Sequence, residues 1–195
     1  MTYKIIAILL LTIHLTPAFS NTNISVSNKL QKSDIEFYSQ SSNGKLITCG
    51  IEFSGIDNNL NYFSGSYSIL YLGNGNISPM LKMNSIKIHE NGNKETHSLQ
   101  NFWIKSKNQS TLATSWESNR KDNTIIFTDH NHDEGIILYI EITRGEETKI
   151  GYLKNGATID SIYELKRYPK NSQEKAKECL MEMTKIANQD INANK

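Results

Sequence analysis

The densest cluster of possible metal ligands in this chain is a run of six residues: Asp129, His130, Asn131, His132, Asp133 and Glu134. Asp129, Asn131 and Asp133 stand at every second position, which is the spacing of the first oxygen ligands in a calcium-binding loop. The match then ends, because the glycine comes one place late, at Gly135, and Ile140 stands where the loop needs a closing glutamate. The two histidines would need further zinc ligands from elsewhere. A solvated turn explains the same residues, so we expect no firm metal site and no cofactor.

No other stretch predicts a catalytic centre. Ser64, Gly65 and Ser66 fall within a predicted strand, whereas the nucleophile of a hydrolase elbow stands at a sharp turn from a strand into a helix. If Cys49 and Cys179 pair, no thiol nucleophile remains. We therefore assign no catalytic residue and expect a protein that is not an enzyme.

Aromatic residues offer a binding alternative. An amphipathic ring gives contact area together with a hydrogen-bonding edge, so a row of such rings can stack on a sugar or grip a peptide. Aromatic residues also fill the cores of sheet proteins, and this packing alternative is the more common one. The candidates for ligand binding are Tyr67, Tyr71, Trp103 and Trp116, with Tyr62 and Tyr139 as further members of the set.

The strand that must organise these residues is LITCGIEF, from Leu46 to Phe53. Side chains alternate between the two faces of a strand, so Cys49 shares an apolar face with Ile51 and Phe53. The only other cysteine in the sequence is Cys179, and it lies far along the chain. A bond between the two cysteines would fix the end of the chain onto this strand.

The rest of the chain predicts a meander of short strands. Asn43 and Gly44 between two apolar runs are typical of a β-hairpin, and residues 155–156 repeat the signal. Residues 80–89 predict a strand with a bulge near Asn84, because the apolar side chains change face there. Residues 135–144 alternate so regularly that they predict a central strand. Turn signals without helical periodicity between the strands favour one mainly β domain, an antiparallel sandwich or barrel.

Helical periodicity returns at the end of the chain. Pro169 stops the last extended segment, Asn171 can cap a helix, and Glu174 follows at capping-box spacing. Apolar residues recur at helical spacing in Ala176, Cys179, Leu180, Met183 and Ala187. We therefore expect a helix over about residues 172–188, docked on the sheet by an apolar stripe that contains Cys179. Two unlinked buried thiols are the alternative to a disulfide bond.

The first twenty residues predict a signal peptide. Lys4 precedes the apolar run of residues 5–15, and Ala18, Phe19 and Ser20 form the small-x-small pattern of a cleavage site. The run is short of the roughly 20 apolar residues that span a bilayer, and an uncleaved anchor is the alternative. Removing 20 of the 195 residues leaves a single domain of residues 21–195. We expect a periplasmic or secreted protein, in a compartment where paired cysteines persist.

The charge balance argues against two classes of partner. Lys4 is the only one of the 21 Lys and Arg residues within the leader, so cleavage leaves 20 basic residues against 20 acidic ones. A neutral chain without a basic block has no electrostatic footprint for nucleic acid or for anionic lipid. Asn, Lys and Ile are abundant, which favours a bacterial source.

These observations predict an exported, non-enzymatic binding protein with a protein or saccharide ligand, in particular an envelope inhibitor or an immunity-type protein. The alternative is a secreted hydrolase or metal-dependent enzyme that uses the loop at residues 129–134. A cluster of perturbed titratable groups in a cleft would favour the enzyme, whereas an open sheet edge would favour the binding protein.

Calcium or zinc titrated into the mature protein should bind no tighter than about 1 mM, the weak end of calcium-loop affinities. The reason is the missing closing carboxylate at Ile140. Isothermal titration calorimetry measures this directly. Micromolar binding that disappears when Asp129→Ala and Asp133→Ala are combined would contradict the prediction.

Overall fold

The structure is a computed structural model that describes residues 24–112, 117–119, 124–128 and 132–193. Two β-sheets and two α-helices make up this part of the chain. The strands are β1 (Ile24–Ser27), β2 (Leu30–Ser42), β3 (Lys45–Asp57), β4 (Asn61–Gly73), β5 (Asn76–Ile88), β6 (Lys94–Thr96), β7 (Leu99–Lys105), β8 (Ser110–Leu112), β9 (Glu117–Asn119), β10 (Thr124–Thr128), β11 (Lys149–Lys154) and β12 (Ile159–Glu164), and the helices are α1 (His132–Thr143) and α2 (Lys170–Ala193). The predicted signal peptide lies outside the described residues.

The large sheet is built on a meander of four antiparallel strands, β2 to β5, each 13 residues long. It continues from β5 through β10 to β9, and β6 pairs with the end of β5. Two-residue turns with φ of 51° and 75° at Asn43 and Gly44, and of 52° and 81° at Asn74 and Gly75, close two of the hairpins. Asn followed by Gly suits these turns because both positions need positive φ. The hairpin predicted at residues 43–44 is confirmed.

The small sheet has the strand order β1-β12-β11-β7-β8, and every pair in it is antiparallel except β1 with β12. The two sheets pack face to face through aromatic rings. Phe53 of β3 lies 6.4 Å from Phe102 of β7, and Phe63 of β4 lies 4.8 Å from Tyr163 of β12, measured between ring centroids. The predicted mainly β, antiparallel domain is confirmed, and of the two architectures the sandwich describes it.

Helix α2 packs on the core face of the large sheet, as predicted, and is longer than expected, because it runs from Lys170 to Ala193 and so passes both ends of the predicted residues 172–188. Its buried residues are Ala176, Cys179, Met183 and Ala187, four of the five predicted for the apolar stripe. Cys179 and Cys49 lie at disulfide distance, with their Cα atoms 5.8 Å apart, within the range that such a bond requires. The organising contact expected from the sequence is therefore present.

The strand predicted over residues 135–144 is wrong, because this segment is helix α1. Its fully buried positions follow helical spacing, in Gly135, Leu138, Tyr139 and Ile142. Asp133 and Glu134 occupy the first turn, where acidic groups favour the helix dipole. Gly145, with φ of 84°, ends the helix in a Schellman motif: its N–H donates to Ile142 O, and Glu146 N–H donates to Glu141 O. The strand was predicted because the apolar residues of this segment also alternate with period two, and the start and stop signals of the helix were not used.

The predicted bulge near Asn84 is also wrong. The pairing of β5 with β4 runs without a shift from Lys87 to Ile77. The apolar pattern changes face because Ser85 takes the next core-facing position after Leu81 and Met83, and it is fully buried. A polar residue in the core, and not an extra residue in the strand, produced the irregular pattern.

Replacing both cysteines by alanine should lower the free energy of unfolding by about 2 to 5 kcal/mol, since the lost cross-link spans 130 residues and restores freedom to the unfolded chain. Urea unfolding of the oxidised protein and of the Cys49→Ala, Cys179→Ala double variant measures the difference. Two free thiols in protein purified from an oxidising compartment, or equal stability of the two proteins, would contradict it.

Candidate functional site

The proposed metal loop is only partly described. Asp129, His130 and Asn131 lie outside the described residues, while His132 and Asp133 are exposed in the first turn of α1. Within the described part of the chain, no three His, Cys, Asp or Glu side chains are grouped as a metal site requires. The predicted lack of tight ion binding stays a prediction.

The candidate aromatic residues do not share one face. Tyr67 is fully buried and donates a hydrogen bond of 2.8 Å to Gly135 O, so it anchors α1 and cannot stack on a ligand. Trp103 is half-buried and its indole ring contacts Gly151, the residue opposite it in β11, where any Cβ would collide with the ring. Tyr71 donates a hydrogen bond to Asp190 of α2. Trp116 lies outside the described residues. For Tyr67 the packing alternative is correct.

A closed ring of hydrogen-bonded side chains connects the two sheets at one end of the sandwich. It joins residues from the large sheet, the small sheet and the connection between them, and none of its contacts exceeds 3.4 Å. In order around the ring, the members are Asp57, Tyr163, Tyr152, Ser85, His97, Lys154 and Asn61. These groups lie far apart in the sequence, so no spacing pattern could have predicted the ring.

The hydrogen bonds of the ring form two chains of donors, both of which start at Lys154 and end at the carboxylate of Asp57. Lys154 donates to Asn61 Oδ1 and, with His97 neutral, to Nε2 of its ring. His97 Nδ1–H then donates to Ser85, which donates to Tyr152. The buried Asp57 accepts from the Tyr163 hydroxyl, from the Asn61 side chain and from two backbone N–H groups. The ring is therefore a satisfied polar network, which is the condition under which buried polar groups stabilise a core.

The ring does not have the properties of a hydrolase centre, although it brings a serine to within 3.2 Å of a histidine. Ser85 is 0% exposed and cannot reach a substrate. Its single proton is donated to Tyr152, and the far nitrogen of His97 faces the cation Lys154, where a catalytic triad places a carboxylate. Burial, and then the Lys154 charge, lower the pKa of His97. Perturbed titratable groups are present, but the hydroxyls of Ser85, Tyr152 and Tyr163 belong to buried side chains, while His97 and Lys154 are half-buried.

An open surface is found along strand β2, at one edge of the large sheet. Within the described residues the 13-residue strand β2 pairs only with β3. The other edge strands, β1, β8 and β9, have three or four residues each. A groove of about 470 Å³, here called the edge groove, follows β2. Residues 34–37 of β2 form one wall, and Lys166, Arg167, Pro169 and Lys175 contribute to the other.

Charges of opposite sign flank the edge groove. Lys166, Arg167 and Lys175, here called the basic wall, are exposed and form no salt bridge within the described residues. On the outer face of the sheet, Glu36 lies directly opposite Glu52, an arrangement of like charges that costs stability in a sheet. This acidic outer face borders a second open groove of about 500 Å³. The long edge strand therefore runs between a basic and an acidic surface.

Comparison of the chain with protein-family models, with curated proteins and with solved structures finds no match. Within the described residues, no helix has the length and apolar character needed to cross a membrane.

Replacing His97 by glutamine should cost less stability at pH 5.0 than at pH 7.5. The pKa of His97 in the folded protein lies below the unfolded value of 6.5, so the unfolded chain binds the extra proton first and stability falls as the pH drops below 6.5. Protonation also removes the acceptor for Lys154. Urea unfolding of both proteins at the two pH values tests this; a cost that is equal or larger at pH 5.0 would contradict it.

Proposed function

We propose that this chain is an exported, non-enzymatic binding protein whose ligand is another protein, held along strand β2. An envelope inhibitor or an immunity-type protein, periplasmic or secreted, is the particular form we favour. The observation that carries the proposal is the 13-residue edge strand that pairs on one side only within the described residues. The enzyme that was the alternative would depend on residues 129–134, of which only the last three are described.

A long open edge is informative because proteins normally protect such edges. Unpaired N–H and C=O groups in a row are a template for another strand, so edge strands are kept short, bulged or covered. The other edges of these two sheets follow that rule, with three or four residues each, whereas β2 has 13 residues and its pairing with β3 shifts only near its two ends. Strand addition at an open sheet edge is a common mode of peptide recognition, in which main-chain hydrogen bonds supply affinity.

Export is supported by two independent features of the sequence and the structure. The leader pattern of residues 1–20 predicts secretion. The pairing of Cys49 with Cys179 suits an oxidising compartment. Both features fit a protein that meets its partner outside the cytoplasm.

A photo-reactive phenylalanine analogue placed at Glu36, within the edge groove, should cross-link to a discrete protein in an envelope extract of the source. The matched control carries the analogue at Lys185, an exposed position on α2 that does not line the groove. Mass spectrometry of the adducts identifies the partner. We expect the adduct from position 36 alone, because only that side chain borders the open edge. No adduct, or the same adducts from both positions, would contradict the proposed function.

A further inference from the structure

We propose that the edge groove binds an extended peptide segment that adds a strand to the large sheet and carries acidic side chains at every second position. This inference rests on the proposed binding function and specifies the chemistry of the partner. It is carried by the register of β2, by the polarity of its two sides and by the basic wall.

The central part of β2 has the length and regularity that strand addition needs. Its pairing with β3 shifts only near the two ends, between Leu30 and Lys32 and between Gln40 and Ser41. Residues 32–40 therefore run in one unbroken register, about 30 Å at 3.4 Å per residue. Half of the backbone N–H and C=O groups in an antiparallel strand point away from the partner strand. On β2 these groups lie along the open edge, and those of residues 34–37 face the edge groove.

The two sides of the added strand would meet different surfaces. Ile35 and Phe37 lie on the face of the sheet against which α2 packs, since Ile35 pairs with Phe53 and Phe37 with Ile51. The basic wall leads into α2 and so stands on that side. Asp34 and Glu36 point to the outer face, where Asp34 pairs with Lys32 at 3.5 Å. The groove on the outer face is lined by three acidic side chains and one lysine, whereas the basic wall has three cations, so anionic groups are attracted more strongly to the α2 side.

This difference selects a period-two charge pattern in the ligand. Successive side chains of an extended peptide point to opposite faces, so every second residue of an added strand would approach the basic wall. Acidic groups at those positions are attracted to Lys166, Arg167 and Lys175, while acidic groups at the intervening positions would meet Asp34 and Glu36. Neutral or basic residues fit the intervening positions.

A second copy of this chain fits the groove less well than a foreign peptide. Pairing of β2 with the β2 of another molecule would bring two basic walls to one junction, and like charges there oppose association. A small saccharide would leave most of the row of backbone groups in residues 32–40 unpaired. An extended acidic segment satisfies both the backbone groups and the charges.

The test uses the mature protein and two synthetic ten-residue peptides of identical composition. The first carries glutamate at every odd position and threonine or lysine at the even positions; the second places three of its five glutamates at odd positions and two at even positions. Fluorescence anisotropy should show at least about tenfold tighter binding of the first peptide. Intermolecular backbone nuclear Overhauser effects should place it beside residues 32–40.

Charge-reversal variants distinguish the contribution of the basic wall to peptide binding from the effect of the protein's net charge. Lys166→Glu combined with Arg167→Glu should weaken binding of the first peptide by about tenfold or more. Lys177→Glu combined with Lys185→Glu makes the same change in net charge on exposed positions of α2 away from the groove, and should leave the affinity within about twofold. Circular dichroism confirms that each variant is folded.

Four outcomes would overturn this inference. They are equal binding of the two peptides, no binding at about 1 mM peptide, contacts located away from β2, and a concentration-dependent dimer paired through β2. After any of the first three outcomes, the proposed function would still hold if the cross-link from position 36 identifies a partner. The fourth outcome would mean that the ligand of β2 is a second copy of this chain. Failure of the cross-link together with tight peptide binding would instead contradict the proposed function alone.

Discussion

The docking of helix α2 onto strand β3 is the contact on which the rest of the structure depends. The paired cysteines hold the middle of the helix to the core face of the large sheet. Near its end, Asp190 accepts hydrogen bonds from Lys45 at 2.8 Å and from Tyr71, and the Lys45 ammonium also lies 4.6 Å from the centre of the Tyr71 ring. With the middle and the end fixed, the start of the helix stands beside the edge of the sheet. These contacts therefore determine where the basic wall lies.

A different interaction holds the opposite end of the sandwich. There the ring of seven side chains connects the two sheets by hydrogen bonds and not by apolar contacts alone. Such a network stabilises a fold only when every member has a partner, because an unsatisfied buried group costs about 1 to 3 kcal/mol. Asp57 shows how this is met, since both carboxylate oxygens accept two hydrogen bonds each. The fold thus has one covalent and one polar anchor, and both hold strand β3, the partner of the open edge strand.

Local sequence patterns predicted the parts of the fold that depend on backbone conformation and on the spacing of apolar residues. The Asn43-Gly44 turn follows from positive φ, and the apolar stripe of α2 follows from helical spacing. The cysteine contact was predictable because only two cysteines had to be placed on two apolar faces. Helix α1 was missed because its isoleucines suit both periods, although the acidic first turn and Gly145 were the signals that identify it.

The edge groove and the polar ring could not be predicted in the same way. Both depend on which strands become neighbours, and residues such as Asp34 and Arg167 meet only after the sheet has formed. Ser85 interrupts the apolar alternation of its strand, and this is the only local sequence signal of the ring. The same interruption led to the incorrect prediction of a bulge near Asn84. The aromatic residues were considered for binding, yet Tyr67 fills the core. The proposed binding site in this chain depends on strand topology more than on any sequence motif.

Hydrogen exchange of the free, monomeric mature protein, followed by NMR at each amide, tests the claim of an open edge most directly. If β2 is unpaired on its outer side, amides in residues 32–40 should alternate between slow exchange, where they bond to β3, and fast exchange, where they face the groove. Uniformly slow exchange along residues 32–40 would contradict the account, because it would show that the edge is already paired.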